Sequence, residues 1–144
     1  MKTRILILLI LLTGCAQLTT ESSNSHILQA AMSKPTVELQ ISTDSYDYLS
    51  GQQMKITITI NTTQNLQNVR LQLYGIRSKY DIYKLNQEDQ LNLTSGTHTL
   101  TYNYNTPTCS SCAGLSSGEY SISTKLLLDG EELATTQTMI NIQR

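Results

Sequence analysis

Met54-Lys-Ile-Thr-Ile-Thr-Ile-Asn61 alternates apolar and polar residues without a break. A period of two puts Met54, Ile56, Ile58 and Ile60 on one face and Lys55, Thr57, Thr59 and Asn61 on the other. The stretch therefore reads as a half-buried strand, and its β-branched side chains suit a pleated surface. The same period extends outward in both directions. Upstream, Val37, Leu39 and Ile41 alternate with Glu38, Gln40 and Ser42 before a turn at Leu49-Ser-Gly-Gln52. Downstream, Val69, Leu71 and Leu73 alternate with Arg70, Gln72 and Tyr74. A less regular strand is expected over Lys79 to Leu85, carrying Tyr80, Ile82 and Tyr83 in no clear phase. Leu91 and Leu93 precede a Ser95-Gly96 turn, after which His98, Leu100, Tyr102 and Tyr104 share a face opposite Thr97, Thr99 and Thr101. Tyr120, Ile122, Thr124, Leu126 and Leu128 then lead to an Asp129-Gly130 hairpin turn and a final strand through Ile140 and Ile142. Seven or eight short strands with turn signals every ~8 to 12 residues predict an all-β, immunoglobulin-like antiparallel β-sandwich over residues 35–144. A small β-barrel is the alternative.

Before Pro35 the composition changes. Residues 16–34, AQLTTESSNSHILQAAMSK, are rich in small polar side chains, and only Ile27 to Met32 could make a helical turn or two. Such a segment cannot bury enough apolar surface to order itself, so residues 15–34 are read as a flexible tether with His26 solvated. Further upstream, Met1-Lys-Thr-Arg4 is a short basic region followed by eight apolar residues, Ile5 to Leu12. That run is far shorter than the ~18 residues a bilayer span requires, and it reads as the hydrophobic part of a signal peptide.

Leu12-Thr-Gly-Cys15 resembles the lipobox of prokaryotic (bacterial or archaeal) lipoproteins. The resemblance implies a signal peptide over residues 1–14, cleavage after Gly14 and diacylglycerol on the Cys15 sulfur, often with a fatty acid such as palmitate on its amine. One acyl chain binds a membrane reversibly, since each buried CH2 contributes ~0.8 kcal/mol, whereas two or three hold durably. The expectation is a protein anchored by lipid to the cell membrane or the outer membrane, facing the periplasm or the exterior. Ala16 lacks the aspartate that holds lipoproteins at an inner membrane.

Two short motifs bear on the domain itself. Leu49-Ser-Gly51 precedes the Met54 strand, and Gly118-Glu-Tyr120 opens the penultimate one. In these features residues 36–142 resemble extracellular immunoglobulin-like domains of the cell-adhesion-related, CARDB type. The resemblance implies the sandwich fold, and Tyr120 falls where a structural tyrosine corner would return its hydroxyl to the preceding loop. The chain departs from antibody domains in having no tryptophan and no cysteine pair on facing sheets.

The segment Thr106 to Ile122, TPTCSSCAGLSSGEYSI, concentrates the chemically suggestive residues. Gly114-Leu-Ser-Ser-Gly118 matches a nucleophile-elbow pattern, but a strand rather than a helix follows Ser116, and His98 is the domain's one histidine. Cys109 and Cys112 have the spacing of a redox dithiol or half a zinc site, yet no helix follows them and further ligands are lacking. Export to an oxidising compartment favours a disulfide between them. A ring so short would contribute at most ~2 kcal/mol by chain entropy, and it could be structural or reducible. Asp44 and Asp47 lack the spacing of a calcium loop and read as solvated turn acids, and His98 reads as a core-edge residue. Tyr74, Tyr80, Tyr83, Tyr102 and Tyr104 are candidates for a binding surface, with some of them in the core. Asn61 and Asn92 begin glycosylation sequons.

Charge narrows the partners. There are ten basic and eleven acidic residues, and loss of Lys2 and Arg4 with the signal peptide leaves eight against eleven, a net charge near −3. No field of one sign attracts nucleic acid. The reading is a non-enzymatic, membrane-anchored extracytoplasmic lipoprotein that binds a protein or glycan ligand in an adhesion-type role. It needs no cofactor and no catalytic or metal-binding residues. A structural subunit of an envelope or surface assembly is the alternative, and an exported thiol-redox protein a more distant one.

Overall fold

The computed structural model describes residues 35–110 and 114–144. The signal peptide, Cys15, the tether and Cys112 lie outside the described residues. Eight strands follow in order: β1 (Val37–Thr43), β2 (Asp47–Leu49), β3 (Gln53–Thr62), β4 (Leu66–Arg77), β5 (Tyr83–Leu93), β6 (Gly96–Asn105), β7 (Gly118–Leu128) and β8 (Glu131–Gln143). They form a three-stranded sheet, β1-β3-β6, and a five-stranded sheet, β2-β8-β7-β4-β5. The fold is the all-β sandwich that the alternation predicts.

β3 is the centre of the smaller sheet. Met54, Ile56, Ile58 and Ile60 are fully buried, and each pairs in register with Tyr104, Tyr102, Leu100 or His98 of β6. They meet Val69, Leu71 and Leu73 of β4, Ile122 and Leu126 of β7, and Ile140 and Ile142 of β8 in one core cluster. Burying an isoleucine or leucine contributes ~1.5 to 3 kcal/mol, so this aliphatic layer supplies most of the driving force. Tyr48 is the one tyrosine in the buried set; the others lie at its rim or outside it.

Three places depart from simple alternation. β4 carries a bulge between Leu66 and Val69, with Asn68 at φ 56° and its N–H bonded to Asn92 Oδ1 at 2.9 Å. The extra residue lets Leu66 and Val69 both face inward. At the other end of β4, Gly75 passes so close to β7 that a Cβ would sit 2.6 Å from the Ser121 carbonyl oxygen. Ile76 then adopts φ 53°, an uncommon conformation for a β-branched residue, and is fully buried beside Gly75. The third departure corrects the sequence reading of residues 79–85. Ser78 to Ile82 form a turn, closed by Ser78 N to Ile82 O at 2.9 Å and Asp81 N to Ser78 O at 3.0 Å, and β5 starts only at Tyr83.

One pairing is not antiparallel. After β1 the chain crosses to the larger sheet, and β2 runs parallel to the end of β8, Asp47 to Leu49 against Asn141 to Gln143. The Asp129-Gly130 hairpin forms as expected, with both residues at positive φ, the two-residue turn that matches strand twist.

Candidate functional site

Register divides the sandwich into two ends. The near pole is where the chain enters at Val37, opposite Thr62, and it carries the connections β3–β4, β5–β6 and β7–β8. The far pole carries β1–β2, β2–β3, the 78–82 turn and the long connection from Thr106 to Ser117.

The far-pole connections are fastened to one another by hydrogen bonds. Thr106, buried, donates its hydroxyl to the carbonyls of Leu49 (2.7 Å) and Gln52 (3.1 Å), while its backbone exchanges bonds with Gln52 O and Gly51 N. Ser50 Oγ donates to Pro107 O and accepts from Cys109 N at 2.7 Å. Cys109 is half-buried, and its Sγ lies 3.4 Å from the Ser116 carbonyl oxygen. Leu115 plugs the core from this side. Tyr120 Oη donates to Ser116 O at 2.6 Å and accepts from Ser116 N at 3.1 Å, so one hydroxyl satisfies both backbone groups of that residue. Lys79 N donates to Gly114 O at 2.9 Å, and the Tyr80 ring lies on Gly114, where a Cβ would approach it to 2.6 Å.

On this scaffold stand exposed apolar side chains. Leu49 is 56 % exposed, Tyr80 56 % and Ile82 54 %, with Tyr46 and Tyr83 beside them in chain position; of the large exposed hydrophobics among the described residues, Met139 alone lies away from these connections. Cations flank them. Lys79 Nζ sits 5.0 Å from the Tyr80 ring centre and Arg77 5.8 Å from that of Tyr83, while Arg77 also pairs with Asp81 at 3.2 Å. Tyr83 meets Tyr74 edge to face at 5.3 Å. The sequence pattern marked Tyr80, Tyr83 and Tyr74 as candidates. It missed Ile82 and Leu49, because a strand assignment hides which side chains a turn exposes.

The other candidates are dispersed. Ser116 is at the far pole with its backbone held by Tyr120, whereas His98 is toward the near pole with Nε2 2.8 Å from Thr94 O, so the two form no catalytic pair. Among the described residues no three His, Cys, Asp or Glu side chains converge as metal ligands. Asp44 and Asp47 are not simply solvated. Asp44 Oδ1 accepts from Tyr48 Oη (2.7 Å) and Lys55 N (2.8 Å), and these bonds, the tyrosine's foremost, hold its carboxyl below the ordinary aspartate value. Asp47 Oδ1 accepts from Asn141 and Gln143, fastening β2 to β8. Tyr102 and Tyr104 are half-buried on the inner face of β6, and burial, joined at Tyr102 by the Asp89 carboxylate, raises both phenols. Asn61 is exposed on β3, and Asn92 is exposed while its amide oxygen caps Asn68. A surface depression of about 610 Å³ is an open polar groove along β4 and β5 lined by Asn68, Arg70, Glu88 and Asp129.

No family model and no curated protein matches this sequence. Solved structures do match its fold. The CARDB domain of the PF1109 protein from Pyrococcus furiosus, solved in complex with di-metal ions, is 12% identical at a TM-score of 0.51 over 75% of this chain and 93% of that one. The sporulation control protein Spo0M of Bacillus subtilis is 14% identical at 0.50, over 76% of this chain, which spans half of Spo0M. A β-glucosidase of Erythrobacter marinus is 13% identical at 0.53, over 76% of this chain and 16% of the enzyme. A likeness shared by a control protein and an enzyme carries architecture and not activity. The described residues thus form a CARDB-like, immunoglobulin-type β-sandwich.

Proposed function

We propose that this protein is a lipoprotein, anchored to a membrane through Cys15 and displayed outside the cytoplasm, whose sandwich is a non-catalytic binding module. The observation that carries the reading is polarity. The chain enters at one end of the sandwich, and the exposed apolar side chains Tyr80, Ile82 and Leu49 stand at the other. A flexible tether attached to the near pole would leave the far pole free to face away from the membrane. Amphipathic tyrosines beside cations are the composition of a recognition surface, and the hydrogen bonds from Thr106, Ser50 and Tyr120 hold it in shape before a ligand arrives. In this reading Tyr120 is a structural tyrosine corner, and a Cys109–Cys112 disulfide tightens the same connection. The ligand is a protein or a glycan.

Two measurements test the reading. Intact mass of the protein purified from its own membranes should equal cleavage after Gly14 plus acyl chains on Cys15, with a two-proton gain on reduction. An unmodified Cys15 would remove the anchor. Replacing Tyr80 and Ile82 together by serine should abolish ligand recovery by surface cross-linking without lowering the melting temperature; undiminished recovery would refute the far-pole assignment.

A further inference from the structure

We infer that the free edge of β6 is a strand-addition site for an extended peptide segment of a partner protein. The inference rests on the binding-module reading and specifies the form of the partner. β6 pairs with β3 along its whole length, Gly96 to Asn105, and among the described residues with no strand on its other side. About half of its N–H and C=O groups therefore point away from β3.

Exposed edges are ordinarily blunted by charge, proline, shortness or a bulge. The other outer strands each carry such a device. β2 has three residues, β1 includes Glu38, and β5 has Lys84, Glu88 and Asp89 with a bulge in its pairing. β6, GTHTLTYNYN, has ten residues with no Asp, Glu, Lys, Arg or Pro and no register shift. Nothing in it discourages a further strand.

The core is also open beside it. The inward residues of β3 are fully buried, yet their partners His98, Leu100, Tyr102 and Tyr104 are only half-covered. Opposite, Gln87 and Asp89 of β5 lie at the core-side positions, in register with buried Leu73 and Leu71, but are exposed. The larger sheet thus overhangs the smaller, and Tyr102 Oη reaches across to Asp89 Oδ2 at 2.5 Å. This leaves the uncharged edge of β6 beside the exposed Asp89 carboxylate. Complementarity specifies the occupant. Apolar side chains at alternate positions would extend the Leu100–Tyr102–Tyr104 row, and a lysine or arginine would lie over Asp89, with main-chain bonds supplying affinity.

The test uses the full chain and a synthetic peptide, acetyl-Thr-Ile-Thr-Lys-Thr-Ile-Asn-amide, followed by residue-resolved amide hydrogen exchange. The peptide should slow exchange at alternate residues of β6 by about tenfold or more. Of two peptides N-methylated at the odd or at the even positions, one should lose binding and the other retain it, because an added strand bonds through one edge. A lysine-to-glutamate peptide should bind several-fold more weakly, and Thr99→Lys with Thr101→Lys, both on the outer face, should abolish binding without changing the melting temperature. Unchanged β6 exchange at saturating peptide would overturn the inference, as would equal binding of the two methylated peptides. So would slow exchange of all β6 amides in the free chain, which would mean that the chain itself or a second copy already pairs with this edge. If the peptide fails while Tyr80 and Ile82 still govern ligand recovery, the strand-addition site falls and the binding module stands.

Discussion

The two poles of the sandwich close the same strands by different means. At the near pole the Asp129-Gly130 connection is a two-residue turn, and Ser95 N is capped by Asn65 Oδ1 at 2.8 Å, with no large exposed hydrophobic in the connections. At the far pole the connections are longer and are bonded to one another through buried Thr106, Ser50 and Tyr120, and they hold Tyr80, Ile82 and Leu49 in solvent. Turns that only reverse the chain need no such support. The contact surface proposed above therefore rests on supports that can be removed one at a time.

The largest effect should come from Gly75→Ala, where β4 leads into the far pole. The new methyl would meet the Ser121 backbone oxygen at 2.6 Å, and neither strand can yield without losing ladder bonds. Chemical denaturation should show a loss of about 3 kcal/mol, while an alanine at near-pole Gly96, where a Cβ meets nothing within 4 Å, should pay only for its backbone conformation. Thr106→Val keeps the shape but leaves the Leu49 and Gln52 carbonyls without the hydroxyl, at a cost of about 2 kcal/mol and faster exchange at Gly51. Tyr120→Phe should cost about 1 kcal/mol and loosen Ser116 without disturbing β7.

Acid and alkali act on different parts of the molecule. Asp44 is held below its ordinary value of 3.8 by Tyr48 and Lys55, so its contribution to stability is complete above about pH 4 and is lost as pH falls through the lower folded value. Asp44→Asn should flatten that part of the acid titration. Tyr102 is raised from 10.0 by burial and by Asp89, so its contribution is complete below pH 10 and is lost as pH rises beyond it. Tyr102→Phe should reduce the alkaline loss. The smallest effect on stability is expected for Tyr80→Ser with Ile82→Ser, within about 0.5 kcal/mol, because both side chains are more than half exposed and lie outside the core cluster.

How far the sequence could be read follows the same division. β3 is plain in sequence because each residue shares its environment with the residues two positions away, and the Asp129-Gly130 turn is plain because few residues tolerate positive φ. β2 is hidden, since three residues show no period and its parallel pairing depends on where β8 ends. The Asn68 bulge and the Ile76 conformation switch the inward face without altering composition. Tyr80, Ile82 and Tyr83 suit a strand, yet the bonds of Ser78 hold the first two in a turn, so the exposed cluster becomes visible only when the chain is folded. Asp44 looks like a solvated acid until Tyr48 and Lys55 are brought to it from separate elements. Tyr120 could be located from its Gly-x-Tyr setting, but not the residue that receives its hydroxyl.

Site-specific photo-cross-linking on intact cells tests the central claim most directly. A benzophenone side chain would be placed at Tyr80 in one full-length protein and at near-pole Gln64 in another, both with wild-type melting temperatures. A discrete ligand adduct is expected from position 80, lost when Ile82 is also replaced by serine, and none from position 64. Adducts of equal yield from both positions, or from position 64 alone, would contradict it.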